Sequence, residues 1–487
     1  MAPSGLVVDS AYVISDLHLG GVAPRQMFGE TDALASFIDG LPAGRCALVI
    51  NGDFVDFLAE PPSRHFDPEG AVAKLQRLVG DPAFAPVFKA LTRFLDGPGH
   101  RLAIAIGNHD LELSLPWVRE ALQALLTEGD EGRAGRLIWD LDGEGLLLNI
   151  GTSQGASVLC VHGNEVDAWN VADYETLRRI GRDGLRGTLP DRYIPNAGSR
   201  MVVELMNDIK QRYPFVDLLK PETEAVGPIL ALIEPGGAKL LDEFLAVALR
   251  QQRDKIRIGL GLLGAETAMA VEVIEPFPSA LPSVPMKRQA GVRSDVGLRL
   301  LDRAEQDLRE DRDPLDLLDP ASRTDTLGWW RGAWNYVSTR DPVEALRGKL
   351  AELADDRSFS SLQRDETFLD MDKRVSTNIN FLVTGHTHLA RAIEREAGRA
   401  WYFNTGTWAR VFRIEPEVLG DRQRFATLFE GLKTDSMAAL DGMAGLVKVR
   451  PHVARFWHDE AGTHGALCEV AALAPYALSE VTRFTTR

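Results

Sequence analysis

The stretch AYVISDLH, residues 11–18, sets the pattern for the chain: a short apolar run that breaks off at Asp16 and His18. Three similar runs follow, at 46–50 (CALVI), 102–106 (LAIAI) and 157–161 (SVLCV), and each is followed within a few residues by a polar side chain with useful chemistry. Runs this short, rich in Val, Ile and Leu and without alternation, suit strands covered on both faces. Between them, residues 31–40, 70–78 and 84–95 carry helical periodicity. Alternating strand and helix predict an α/β layered fold.

From residue 169 the pattern changes for about two hundred residues. Amphipathic helical segments broken by Pro and Gly stand at 199–213, 224–233, 238–253, 295–310 and 342–356, and the Asp- and Pro-rich stretch 311–326 reads as a loop. Apolar runs return at 380–385 (NFLVTG) and 400–404, then at 453–458 and 466–470. The expected organisation is a catalytic domain in two parts, 1–168 and 378–487, interrupted by a largely helical insertion, 169–377.

Five motifs end the strand-like runs: Asp16-Leu17-His18, Gly52-Asp53-Phe54-Val55-Asp56, Gly107-Asn108-His109-Asp110, Val161-His162-Gly163 and Gly385-His386-Thr387-His388. Ligands of open α/β sheets bind beyond the carboxyl ends of strands, where distant segments converge. Side chains at i and i+2 of an extended segment point the same way, so Asp16 with His18, and His386 with His388, can share a pocket. Imidazoles, carboxylates and an Asn carbonyl form a mixed N/O donor set suited to Mn, Fe, Zn, Co or Ni. They are too many for one tetrahedral ion. Two divalent ions sharing a carboxylate would use them, and such a pair clamps the attacking and leaving oxygens of a displacement at phosphorus.

In order and content these motifs resemble the calcineurin-like metallophosphoesterase superfamily, over residues 11–168 and 378–408. The resemblance implies a four-layer fold, a β-sandwich of two mixed sheets flanked by helices. It implies that Asp16, His18, Asp53 and His388 hold one ion, most readily Mn, and that Asp53 bridges to a second held by Asn108, His162 and His386. His109 would stand over the leaving-group oxygen, oriented by Asp56, while a metal-bridging hydroxide attacks in line. Asp110 either joins the site or shapes its turn.

Departures from better-known branches narrow the substrate. Phe57 stands where protein serine/threonine phosphatases carry Arg, and GNHD replaces their GNHE. Hydrolases of UDP-diacylglucosamine show GNRD where this chain has His109. The expected substrate is a phosphodiester or pyrophosphate, nucleotide-like or nucleotide-linked. The alternatives are an SbcD-type metal-dependent nuclease and a non-catalytic interaction protein that uses its insertion. Arg178 and Arg182, with other arginines after His162, and Arg410 and Arg413 near the GHTH motif are candidate phosphate grips, since guanidinium forks suit phosphate; a solvated face with acidic partners is the other reading. Trp329, Trp330, Trp334 and Tyr336 read as insertion core. Residues 259–264 fit GxGxxG but follow no clear strand, so nucleotide binding there is not expected.

Composition bounds the rest. The 487 residues, 45% hydrophobic and 25% charged, describe a globular chain, and 44 Gly with 26 Pro but no period exclude a collagen-like one. A net charge of −16 weighs against indiscriminate binding to nucleic acid or anionic membrane. Two bound divalent ions would still leave the pocket positive, since Asp16, Asp53 and a hydroxide subtract only three charges from four. Cys46, Cys160 and Cys468 show no framework spacing and read as buried thiols. The first residues lack a basic start and meet Asp9 and Asp16, so no secretory signal is expected, and no apolar run reaches the roughly 18 residues of a membrane span. The expected location is the cytoplasm. His65, His100, His452, His458 and His464 match no motif and read as surface residues.

Overall fold

A computed structural model describes residues 5–23, 26–167, 170–188, 193–207, 210, 218, 341–355, 360–396, 398–432, 437–471 and 477–486. The helical segments expected at 224–233, 238–253 and 295–310, the loop at 311–326, the glycines of 259–264 and the Trp329–Tyr336 aromatics lie outside the described residues. The chain divides into one unit of Met1–Val226 with Val343–Arg487 and another of Gly227–Pro342. All five motifs and every described strand belong to the first unit.

In chain order its strands are β1 (Leu6–Val8), β2 (Ser10–Ile14), β3 (Cys46–Asn51), β4 (Arg101–Ala105), β5 (Leu137–Asp140), β6 (Leu146–Ile150), β7 (Ser157–Cys160), β8 (Phe381–Thr384), β9 (Ala390–Glu394), β10 (Trp401–Thr405), β11 (Phe412–Ile414), β12 (Leu446–Lys448), β13 (His452–Asp459), β14 (Gly462–Val470) and β15 (Leu478–Thr486). A seven-stranded sheet runs β15-β14-β13-β2-β3-β4-β5, and a six-stranded sheet runs β1-β6-β7-β8-β10-β9. Both are mixed. In the larger, β2 to β5 are parallel and β13 joins β2 antiparallel; in the smaller, β8 pairs parallel with β7 and β10, while β9 and β6 run antiparallel to their partners β10 and β7.

The two-residue period of a strand sorts the apolar side chains into three layers of core. Ala11, Val13, Ala47 and Val49 of the larger sheet meet Leu148, Ile150, Val158, Cys160, Phe381 and Val383 of the smaller. The alternate residues Tyr12, Ile14, Leu48, Ile50, Leu102 and Ile104 face the other way, into a core shared with helices Thr31–Asp39, Ala71–Gly80, Ala85–Phe94 and Pro116–Thr127. On the far side, Leu382, Ile393 and Tyr402 receive Phe368 and Met371 of helix Glu366–Arg374. Helix, sheet, sheet, helix is the four-layer arrangement expected. Pro116 opens its helix at the first position, where the missing N–H costs nothing.

The apolar runs expected to be strands are strands, and burial of both faces accounts for the continuous runs at 11–14, 46–50 and 102–106. All three cysteines are buried free thiols. One expectation is corrected: His464 is buried, bonded through Nδ1 to Thr485 and through Nε2 to Asp459, and stacked on Trp457. Among the described residues no helix is long and apolar enough to cross a membrane.

Candidate metal centre

Every motif lies at the carboxyl end of its strand, and the sandwich brings these ends together. Asp16 and His18 follow β2, Asp53 follows β3, Asn108 follows β4, His162 follows β7, and His386 and His388 follow β8. Asp16, His18, Asp53, Asn108 and His162 are all buried.

Three overlapping donor groups result: Asp16–His18–His388, His18–Asp53–His109 and Asp16–Asp53–His162, with ligand atoms in each lying within 4.8 Å of one another. His18 Nε2 stands 3.0 Å from His388 Nε2, and His388 Nε2 stands 3.3 Å from an Asp16 oxygen. His162 Nε2 is 3.3 Å from Asp53 Oδ2, and His18 Nε2 is 3.7 Å from the same atom. His386 enters none of the three groups. Its ring centroid is 5.5 Å from that of His162, and its Nε2 bonds Asp167 Oδ2 at 2.8 Å.

The residues fit a cation. Nitrogens bound to one ion at about 2.1 Å and at right angles would lie about 3.0 Å apart, which is the spacing of the His18 and His388 nitrogens. Asn108 Oδ1 and His162 Nε2 are buried and have no hydrogen-bond partner, an arrangement that costs free energy unless something else satisfies them. His162 Nδ1 donates to the carbonyl of Asn51 at 2.8 Å, so Nε2 is the nitrogen left for a ligand role.

Backbone strain gathers at the same place. Asp16, His18, Asp53, His386 and His388 all adopt positive φ, between 49° and 69°. Such a conformation costs a side-chain-bearing residue of order 1–3 kcal/mol and persists where the surroundings over-determine it. Here they do: the Asp16 carbonyl accepts from Thr407 Oγ1 and Trp408 N, the Asp53 carbonyl from His18 N, and the Asp16 carboxylate from His386 N. Two motif glycines make room for carboxylates. A Cβ on Gly107 would lie 2.2 Å from Asp53 Oδ1, and one on Gly385 would lie 2.4 Å from Asp16 Oδ2.

His109, which enters one of the donor groups, pairs with Asp56, its Nδ1 lying 3.1 Å from Asp56 Oδ1. Burial opposes the charge on both. Even so, the His109 and His18 imidazoles hold the Asp56 carboxyl well below the usual range, and Asp56 with Asp53 lifts His109 to about 9. Burial likewise opposes ionisation of Asp53, and His162, His109 and His18 outweigh it, holding that carboxyl well below its ordinary value. His162 is lifted to about 10, burial again being overcome by Asp53 and Asp16.

The profile of calcineurin-like phosphoesterases matches residues 10–216. These residues form a calcineurin-like phosphoesterase domain. The His386–His388 motif lies beyond the matched span, just past β8, which sits between β7 and β10 in the six-stranded sheet. No curated protein matches the chain. With its donor groups, the domain supports a metal-dependent phosphoester hydrolase.

Of the arginines expected to grip phosphate, Arg178 pairs with Glu175 at 2.6 Å and lies near Asp142 and Glu144, and Arg182 pairs with Asp183. Arg410 is held by Asp441 and donates to the carbonyls of Gln26, Met27 and Phe28. Arg413 is exposed. Asp110 shapes its turn: one carboxylate oxygen accepts from Gly107 N at 2.6 Å and the other from Phe54 N at 2.8 Å, tying the third motif to the second. Asn51, Asp167 and Asn170 belong to none of the five motifs. Asn51 directly precedes the Gly52-Asp53 motif, whereas nothing local marks the other two.

Proposed function

We propose that the chain hydrolyses a phosphodiester or pyrophosphate bond, with Asp16, His18, Asp53 and His388 holding one divalent ion and Asp53, Asn108, His162 and His386 a second. When bound, such ions neutralise phosphate charge and lower the pKa of water toward neutrality. We take manganese as the ion, with iron, zinc, cobalt or nickel as alternatives, since a mixed nitrogen and oxygen donor set accepts any of them. The observation that carries the reading is the Asp56–His109 pair, with His109 next to His18 and Asp53 of the donor groups. The Asp56 carboxylate engages Nδ1, leaving His109 Nε2 to hold the proton that a departing alkoxide needs.

A phosphodiester or pyrophosphate substrate is favoured over a phosphoprotein by the absence of an Arg after Asp56, where Phe57 is fully buried instead. We assign selection of the substrate, nucleotide-like in our reading, to the insertion over 169–377. Support comes from its first residues, which reach the loop after Asp56: Asn207 Nδ2 donates to Leu58 O at 3.1 Å, Ser199 O lies 3.3 Å from His65 Nδ1, and Tyr193 packs on Phe66. A cytoplasmic location is kept, on the acidic composition and scattered buried thiols. The test is a panel with Mn: bis(p-nitrophenyl) phosphate, a dinucleotide pyrophosphate, p-nitrophenyl phosphate, and single- and double-stranded DNA. Turnover of the diester or pyrophosphate well above the monoester is expected. Preferential cleavage of DNA would establish the nuclease alternative, and turnover of none of them would remove the enzymatic reading.

A further inference from the structure

A polar chain runs from the fifth motif back to the third through residues that belong to neither. Asp167, just past the turn Asn164–Val166, accepts from His386 Nε2 and from Asn170 Nδ2 on the same oxygen, each at 2.8 Å. A carboxylate only accepts, so a proton sits on His386 Nε2, which leaves Nδ1 as the nitrogen for a ligand role. Asn170 Oδ1 in turn takes Asn108 Nδ2 at 3.4 Å, which turns Asn108 Oδ1, buried and without a hydrogen-bond partner, to the other side of its amide.

Asp167 and Asn170 are themselves held in place. Asn170 N donates to Asp167 O at 3.0 Å, Asp167 N to Asn164 O at 3.1 Å, and the fully buried Asn164 returns Nδ2 to Asn170 O at 3.0 Å. Two donors from segments far apart in sequence are thereby oriented by Asp167 and Asn170, which follow His162 in the chain. Partners of this kind fix a ligand's tautomer and direction, and their loss costs metal affinity without removing a ligand.

We propose that Asp167 and Asn170 are positioning residues of the second ion, setting His386 Nδ1 and Asn108 Oδ1 toward it. This rests on the assignment of His386 and Asn108 to that ion. The experiment is calorimetric titration of the full-length metal-free protein with MnCl2, alongside the electron paramagnetic resonance signal of a coupled Mn pair. Wild type, Asp167→Ala, Asp167→Asn and Asn170→Ala are compared, with circular dichroism to show that each is folded. We expect two Mn per wild-type chain. Asp167→Ala should weaken the second site about 10- to 100-fold and leave the first unchanged, with loss of the coupled signal at substoichiometric Mn. Asp167→Asn, which keeps an acceptor for His386 Nε2, should recover part of the loss, and Asn170→Ala should show a smaller one. Unchanged affinities in Asp167→Ala, or equal weakening of both sites, overturns the proposal alone. A wild type that binds fewer than two Mn overturns it together with the two-ion assignment beneath it.

Discussion

His18 Nε2 and His388 Nε2 lie 3.0 Å apart although 370 residues separate them in the chain. One sits just beyond β2 of the larger sheet and the other beyond β8 of the smaller, so the contact spans the mouth of the sandwich. Two imidazoles held this close, each on a backbone of positive φ, make sense as neighbours in one coordination sphere. The packing of two sheets is what sets their spacing.

Removing the His109 imidazole should separate proton donation from metal binding. Replacement by Ala is expected to lower kcat about 10²- to 10⁴-fold on a diester with an alkoxide leaving group. The loss should be smaller with p-nitrophenolate, which departs without a proton, and Mn stoichiometry should stay at the wild-type value. Equal losses on both leaving groups would argue against the assignment, and steady-state kinetics with metal analysis distinguishes the cases.

Metal affinity should rise with pH. In the metal-free protein Asp53 and Asp16 hold His162 protonated up to about 10, and an ion must displace that proton to reach Nε2. Between pH 6 and 8 the apparent affinity for Mn is expected to increase by up to about tenfold per unit, with release of about one proton from this group. Calorimetry in two buffers of different ionisation enthalpy measures the release directly. Binding without proton release would contradict it.

Gly107→Ala should damage the centre without touching a donor. The added methyl would meet Asp53 Oδ1 at 2.2 Å and Asp53 N at 2.5 Å, so the aspartate proposed to bridge the two ions has to move. We expect at least about tenfold weaker Mn binding and a lower Tm, as overpacking costs about 1–3 kcal/mol. Gly80→Ala, where nothing lies within 4 Å of the new carbon, is the control and should match wild type.

Arg410→Ala distinguishes a phosphate grip from a structural staple. Its guanidinium already engages Asp441 and three backbone carbonyls of residues 26–28. The expected result is a Tm lowered by a few degrees, from lost hydrogen bonds worth about 1 kcal/mol each, with KM changed less than about twofold. A large rise in KM at unchanged Tm would restore the substrate role.

Burial decides which elements are legible in the sequence. The runs at 11–14, 46–50 and 102–106 are readable as strands because helices cover one face and the second sheet covers the other, leaving no polar alternation. β15 escapes the same reading because it is an edge strand whose side chains are mostly exposed, so nothing demands apolar residues there. The donors are legible because they sit in short motifs at strand ends. Asp167 is not, because its partner His386 lies 219 residues away and only the fold joins them. The positive φ of Asp16, His18, Asp53, His386 and His388 is equally invisible, since it answers to tertiary hydrogen bonds and not to local propensity. His464 reads as a surface histidine for a related reason: Thr485 and Asp459 satisfy it only once β14 pairs with its neighbours.

The most direct test of the account is the Mn-dependent hydrolysis of bis(p-nitrophenyl) phosphate by wild type and Asp53→Ala, measured side by side with the metal content of each protein. Asp53 is the donor common to both proposed ions and to two of the three donor groups. The account predicts that wild type turns over with Mn and that Asp53→Ala loses bound metal and essentially all activity. An Asp53→Ala protein that keeps full activity would contradict it.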